Sequence, residues 1–343
     1  MKKIFMALMA TALLAGSCSD WTETEAKDYR KPTPEEQNTP EYRSYLEALR
    51  NYKQGDHKIT MVTVSGTSET PNLQNQHLKA MPDSVDFICM KDAVDLHPTL
   101  VSEIQQIYAK KGTRTLCVVD YISVENEWTA METAKADAGL PAGTTEEWIA
   151  YCKERIEEQL ACCDKYGFAG IEISYTGNRS NEIGQVGQDT FMECITAWRA
   201  DHSDKLMFFR GYFQLLKDNS DSNPILSDCD YLVVLCGTSV SSSQLRMEIR
   251  RKVTSWDKTK LLENYRFIIE VAIPPLADPA QVGATAEQAA KWILEDETLF
   301  VKSGLAVDNL QDDYFNKVRI YDNVRTAMGI LSATEEPEPT PES

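Results

Sequence analysis

Gly167-Phe168-Ala169-Gly170-Ile171-Glu172-Ile173-Ser174-Tyr175-Thr176 is the stretch that decides the fold. Apolar and polar residues alternate along it with the period of two that marks a β-strand. Successive strand side chains point to opposite faces, so Ile171, Ile173 and Tyr175 share one face and Glu172, Ser174 and Thr176 the other. The apolar face is expected to pack on helices, which makes Tyr175 a packing residue.

Similar runs recur along the chain at 58–64, 85–90, 114–119, 168–174, 205–211, 230–235, 266–272 and 304–310. Amphipathic helical spacing fits between them, most clearly at 98–111, 145–165, 188–201, 242–256, 285–297 and 314–331. Alternation of strand and helix is the pattern of βα units around a parallel sheet. Eight such units over about 275 residues is the size of a closed (β/α)8 TIM barrel. An open doubly wound sheet is the rival, but Ser65-Gly66-Thr67-Ser68 stands where its Gly-rich phosphate loop would follow the first strand. The fold class is therefore α/β, a single barrel domain, with Glu172, Ser174 and Thr176 pointing inward and Thr176 nearest the mouth. A leading helix, with Tyr42, Tyr45, Leu46, Leu49 and Tyr52 at helical spacing, is expected to cap the lower face. Trp128 is expected in a long loop, 122–143.

The N-terminus reads as an export signal: Lys2-Lys3, an apolar run from Ile4 to Leu14, then Ala15-Gly16-Ser17 before Cys18. That run is too short to span a bilayer as a helix. Small residues ending at a cysteine resemble the lipobox of bacterial lipoproteins, which implies lipidation of Cys18 as the only membrane anchor. A plain secretory signal with an incidental cysteine is the alternative. The acidic start after Cys18 resembles a surface-export signal, so display on the outer membrane's outer leaflet is expected. The expected domains are 1–18, signal peptide; 19–56, polar tether and leading helix; 57–331, barrel; and 332–343, a disordered acidic, proline-rich tail.

The full chain of 343 residues carries 35 basic and 53 acidic side chains, a formal charge of −18. Loss of Lys2 and Lys3 with the signal leaves −20. Such a surface repels nucleic acid and suits a neutral ligand. Nine cysteines form no C-x-x-C pair and four histidines show no ligand spacing, so neither a metal nor another cofactor is expected. Cys89, Cys117 and Cys236 sit in or beside apolar runs, where a cysteine acts as a small buried hydrophobe.

The central strand resembles the strand-four signature of glycoside hydrolase family 18, Phe-Asp-Gly-Ile-Asp-Ile-Asp-Tyr-Glu. The family's three aspartates fall on Ala169, Glu172 and Ser174, and its proton-donating glutamate falls on Thr176. The resemblance implies chemistry in which the substrate's own acetamido oxygen attacks, helped by the aspartate whose place Ser174 takes. Threonine delivers no proton near neutral pH, and loss of general acid catalysis alone costs about 10²- to 10⁴-fold. The family's tyrosine at the end of strand six has no counterpart in Tyr231-Leu232-Val233-Val234-Leu235-Cys236-Gly237. Its strand-eight tryptophan has none in Gly304-Leu305-Ala306-Val307-Asp308-Asn309-Leu310.

No catalytic residue is therefore expected. The resemblance extends to the endo-β-N-acetylglucosaminidase-like branch of surface lipoproteins and implies a ligand containing N-acetylglucosamine, an N-glycan in particular. Carbohydrate recognition needs aromatic faces and convergent polar groups. Strand ends supply Asp120, Tyr121, Glu172, Thr176, Arg210, Tyr212, Glu270 and Asn309 as candidate ligand contacts. Tyr121 and Tyr212 are equally placed to pack against loops, and Glu172 and Glu270 to pair inside the barrel with Arg210 or Arg266. Three functions fit: a non-hydrolytic receptor that passes glycan to an outer-membrane transporter, an active glycosidase using Glu125, Glu172 or Glu270 as a displaced acid, or a scaffold subunit of a surface glycan-uptake complex.

Overall fold

The computed structural model describes residues 38–177, 179–216, 224–237, 241–256, 265–273, 286–296 and 300–333. The expected signal, Cys18, most of the tether and all but the first two residues of the tail lie outside them. Contacts divide the chain after Tyr45, and the barrel belongs to the second unit, residues 46–343.

Eight strands run β1 Ile59–Ser65, β2 Phe87–Lys91, β3 Arg114–Asp120, β4 Gly170–Tyr175, β5 Leu206–Gly211, β6 Tyr231–Leu235, β7 Arg266–Ala272 and β8 Val301–Asp308. Each pairs in parallel with the next and β8 closes on β1. The expected barrel is present. Its described helices are α1 Pro40–Gln54, α2 Pro98–Lys111, α3 Tyr121–Asp137, α4 Thr145–Tyr166, α5 Glu182–Asp201, α6 Pro224–Ser227, α7 Ser242–Trp256, α8 Ala286–Leu294, α9 Leu310–Asp313 and α10 Asp322–Ser332.

Alternation along the strands creates two cores. Met61, Phe87, Cys89, Leu116, Val118, Phe208, Val233, Ile268 and Ala306 fill the barrel, while the residues alternating with them, Ile171, Ile173 and Tyr175 on β4 among them, pack beneath the helices. Helix α4 shows how local sequence sets an element. Thr144 Oγ1 accepts from the Glu147 amide at 3.2 Å and Glu147 returns a bond to the Thr144 amide at 2.8 Å, a capping box. Trp148, Cys152, Ile156, Leu160 and Cys163 form its buried stripe, and Gly167, at φ 72°, ends it. From α1, Lys53 Nζ donates to the Asp83 and Val85 carbonyls and to Thr113 Oγ1, on the segments entering β2 and β3. This part of the helix therefore lies at the lower face, as its sequence implied.

Three expectations are corrected. The 122–143 segment is helix α3 as far as Asp137, with Trp128 buried on it. Its stripe holds only Tyr121, Val124 and Trp128 on an otherwise polar surface, too narrow to register as amphipathic. Strand β8 begins at Val301 because Lys302 is buried there, donating to the Trp292 and Glu295 carbonyls from the helix side. It ends at Asp308 because Asn309 adopts a left-handed φ of 58°. The expected helix at 314–331 is helical only from Asp322, as α10, which Tyr321 precedes at φ 58°; the short α9 ends before the expected range begins. The eight described cysteines are all free, with Cys89, Cys117 and Cys236 buried as expected.

Gly170 marks a close approach between strands. A Cβ there would stand 2.0 Å from the Leu206 carbonyl oxygen on β5. Backbone in a closed sheet cannot yield as a side chain does, so Gly170→Ala should destabilise the fold by about 1–3 kcal/mol. Urea denaturation of the variant checks this, and an unchanged midpoint would contradict it.

Candidate functional site

The mouth of the barrel is formed by the strands' C-terminal ends, where barrels of this type hold their ligands. Ser174 on β4 stands in register between Asp120 on β3 and Arg210 on β5. Arg210 makes a bidentate pair with Glu270 on β7, Nε to Oε2 at 2.6 Å and Nη2 to Oε1 at 2.7 Å. Asp308, ending β8, lies 3.5 Å from Arg210 Nη2 and 3.5 Å from Lys91 Nζ at the end of β2. A charged belt thus crosses the mouth. Lys91 and Asp308 are both 31% exposed at its open side, whereas Arg210 and Glu270 are buried beneath. Burial opposes charge on Arg210, but the Glu270 carboxylate outweighs it and raises the guanidinium's pKa. Beside the belt is a cavity of about 100 Å³, with Lys91 and Asp120 in its wall.

Glu172 lies one layer deeper and is fully buried, and neither carboxylate oxygen has a hydrogen-bond partner. The Cys89 thiol interacts with it electrostatically, without a hydrogen bond of normal geometry. Burial pushes its pKa up to about 7, against the opposing pull of Arg210. The folded state therefore binds this proton more tightly than the unfolded state, whose value is near 4.5. The resulting stability is fully present below pH 4.5 and is lost as pH rises to about 7, on the order of 3 kcal/mol. Glu172→Gln should flatten that part of the stability profile. Melting curves of both proteins across the interval test it, and parallel profiles would sink it.

Asp120 is a second carboxylate with a buried oxygen, Oδ1, that lacks a hydrogen-bond partner. Burial raises its pKa while Ser174, Lys91 and Arg210 pull it down. Its amide donates to Gln159 Oε1 of α4 at 2.7 Å, which fixes the end of β3 against the helix layer.

The molecule is thus a (β/α)8 barrel with a polar mouth and a reduced set of free acids. A family model for glycoside hydrolase family 18, BT1044-like, matches residues 22–330. The chain belongs to that family. Among solved structures, this family 18 chain is similar to a selenomethionine-labelled Glu-to-Gln variant of BT1044, at 18% identity and TM-score 0.57 over 88% of this chain and 96% of that one. It also resembles the apo endo-β-N-acetylglucosaminidase of Cordyceps militaris, at 13% identity and TM-score 0.53 over 84% and 96%. A double variant of the Cordyceps enzyme was solved with fucosyl-N-acetylglucosamine-Asn, and matches at 14% identity and TM-score 0.52 over 84% of this chain and 95% of that one. No curated protein matches. At these identities the solved structures establish the shared fold.

Within the family 18 frame, the structure places the candidate residues unequally. Ser174, Arg210, Glu270 and Asp120 converge at the mouth with Glu172 one layer below them, and Thr176 is half-buried just past β4. Tyr121 does not line it. It is fully buried as the first residue of α3, its ring 5.1 Å from Tyr175 and 5.4 Å from Phe191, so the packing alternative holds. Glu125 lies on the same helix, its carboxylate 3.4 Å from the Tyr121 hydroxyl. Tyr212 follows β5 half-buried, its amide bonded to the Tyr175 carbonyl. Asn309 spends its amide on the Ile273 carbonyl and Asp312. Ala169 precedes β4 at the lower end, far along the strand from the mouth. Arg266 begins β7 at that same end, over the Tyr231 ring, so of the two arginines it is Arg210 that pairs with Glu270.

Two mouth residues escaped the sequence reading, Lys91 and Asp308. A signal for Asp308 was present: Leu305 and Val307 are bulky and face the helices, which puts Ala306 and Asp308 on the inner face. Among the described residues no cluster of His, Cys, Asp or Glu is arranged to hold a metal ion.

Proposed function

We propose that this family 18 member binds N-acetylglucosamine-containing oligosaccharides, N-glycans in particular, at the barrel mouth without cleaving them. The observation that carries the reading is Thr176 in the place of the family's proton donor, with Ser174 in the place of its electrostatic helper. Of the remaining acids, Glu270 is committed to Arg210 and Glu172 lies below the mouth without access to solvent. Lys91, Asp308, Ser174 and Tyr212 would supply hydrogen bonds and an aromatic edge to a neutral sugar. Lipidation at Cys18 would hold the protein on the outer membrane, where bound glycan passes to a transporter. Binding calorimetry with a chitobiose-containing N-glycan tests the reading. A saturable heat supports it, and no heat at millimolar glycan removes it.

One observation favours a second reading, an active endo-β-N-acetylglucosaminidase with a displaced acid. Asp120 stands beside Ser174, is held toward its protonated form by burial, and keeps one oxygen unpartnered. Cleavage of the same glycan, lost on Asp120→Asn, would establish that reading instead.

A further inference from the structure

The end of the barrel opposite the mouth carries a feature that glycan capture at the mouth does not use. A pocket of about 480 Å³ opens there against helix α2 and the starts of β3, β4 and β5. That volume lies within the range of roughly 300–1,000 Å³ typical of small-molecule sites. Its apolar wall is made by Ile104, Ala169 and Leu206. Tyr108 stands at its edge with 59% of its surface exposed, and among the described residues no aromatic ring stacks on it.

Arg114 supplies the charge. It opens β3 on the inward parity, half-buried, with its guanidinium 6.0 Å from the centre of the Phe87 ring. Among the described residues no carboxylate pairs with it. Arg266 on β7 is placed likewise over Tyr231, a second guanidinium at this end with no carboxylate partner among the described residues. Nearby acids are otherwise engaged: Asp86 accepts from His57 and the Thr60 amide, and Asp230 accepts from the Met207 amide. The Ala169 amide is bonded to the carbonyl of Thr115, the residue after Arg114, at 2.9 Å. A methyl group thus stands where the family's strand pattern has an aspartate, and β4 offers Arg114 no counterion.

We infer that this lower pocket is an accessory site for an acidic monosaccharide unit, a pyranose that carries one carboxylate. The planar Arg114 fork matches a carboxylate bidentately. The Tyr108 ring takes the apolar face of the sugar, and Gln105 lies within the same wall to meet its hydroxyls. Exposed Asp204 at the rim and the chain's negative charge oppose a multiply charged anion such as a phosphate, whereas one carboxylate is balanced by one guanidinium.

The experiment uses the intact protein and two probes, N-acetylneuraminic acid and D-glucuronic acid, with N-acetylglucosamine as a neutral control, followed by ligand-observed NMR titration. Saturable binding of at least one acid is expected, weakened by high salt and by at least about tenfold in Arg114→Gln and in Tyr108→Ala. N-Acetylglucosamine should not displace it. The inference is overturned if neither acid saturates, or if affinity is the same in the variants as in the wild type. Should Arg114→Gln fail to fold, as a shifted melting temperature would reveal, exposed Tyr108→Ala decides the matter. Because the pocket is at the far end from the mouth, the outcome is independent of whether glycan binds at the mouth.

Discussion

Replacing Arg210 with methionine should lower folding stability by about 3–5 kcal/mol, the loss expected when one partner of a buried ion pair is removed. The reason is Glu270. Its two oxygens accept from Arg210 at 2.6 and 2.7 Å, and it is buried beneath the mouth belt. Without the guanidinium, the carboxylate must either remain charged in an apolar setting or take up a proton, and both are costly near neutral pH. Removing both partners together, as Arg210→Met with Glu270→Leu, should recover most of the loss, because two apolar chains of similar volume leave no orphaned charge. Denaturant unfolding of the single and double variants measures the difference. A single variant within about 1 kcal/mol of the wild type would mean that the belt is open to water and that Glu270 is free for chemistry.

The second large effect concerns turnover. General acid catalysis is worth about 10²- to 10⁴-fold, and a preorganised electrostatic helper typically adds about 10²- to 10³-fold. Groups that act as a unit do not contribute additively, so the two figures cannot simply be multiplied. Restoring the pair as Ser174→Asp with Thr176→Glu should therefore raise cleavage of a chitobiose-linked glycan at least about 10²-fold over the wild type, and Thr176→Glu alone should raise it less. A carboxylate introduced in place of the Ser174 hydroxyl would lie in register between Asp120 and Arg210, so Arg210 is available to hold it ionised. Rates from the two variants and the wild type test this, and a double variant no faster than the wild type would show that the mouth lacks more than these two groups.

Much of this architecture was legible because the relevant signals are local. Period-two alternation at 170–175 fixed both faces of β4, and eight apolar runs separated by helical spacing gave the closed barrel. What was lost depends on contacts between elements. The expected strand begins only at 304, and the start of β8 at Val301 is explained by the Lys302 ammonium, which donates to two carbonyls at the end of α8. Helix α3 went unseen because a three-residue stripe suffices when one member is Tyr121 and another Trp128, each covering far more surface than an aliphatic chain. The partner of Glu270 could not be chosen between Arg210 and Arg266 by spacing, since both begin or end apolar runs. Barrel depth settles it, with Arg210 at the mouth and Arg266 at the far end. The same depth separates Ala169 from Ser174 and Thr176, three positions that one linear motif presents as a single site.

The central claim is that the mouth holds a glycan and leaves its chitobiose linkage intact. Mass spectrometry of an N-glycopeptide after prolonged incubation with a saturating amount of the wild-type protein measures this directly. The account predicts that the glycopeptide is recovered at its full mass. Stoichiometric release of the oligosaccharide, abolished by Asp120→Asn, would contradict it.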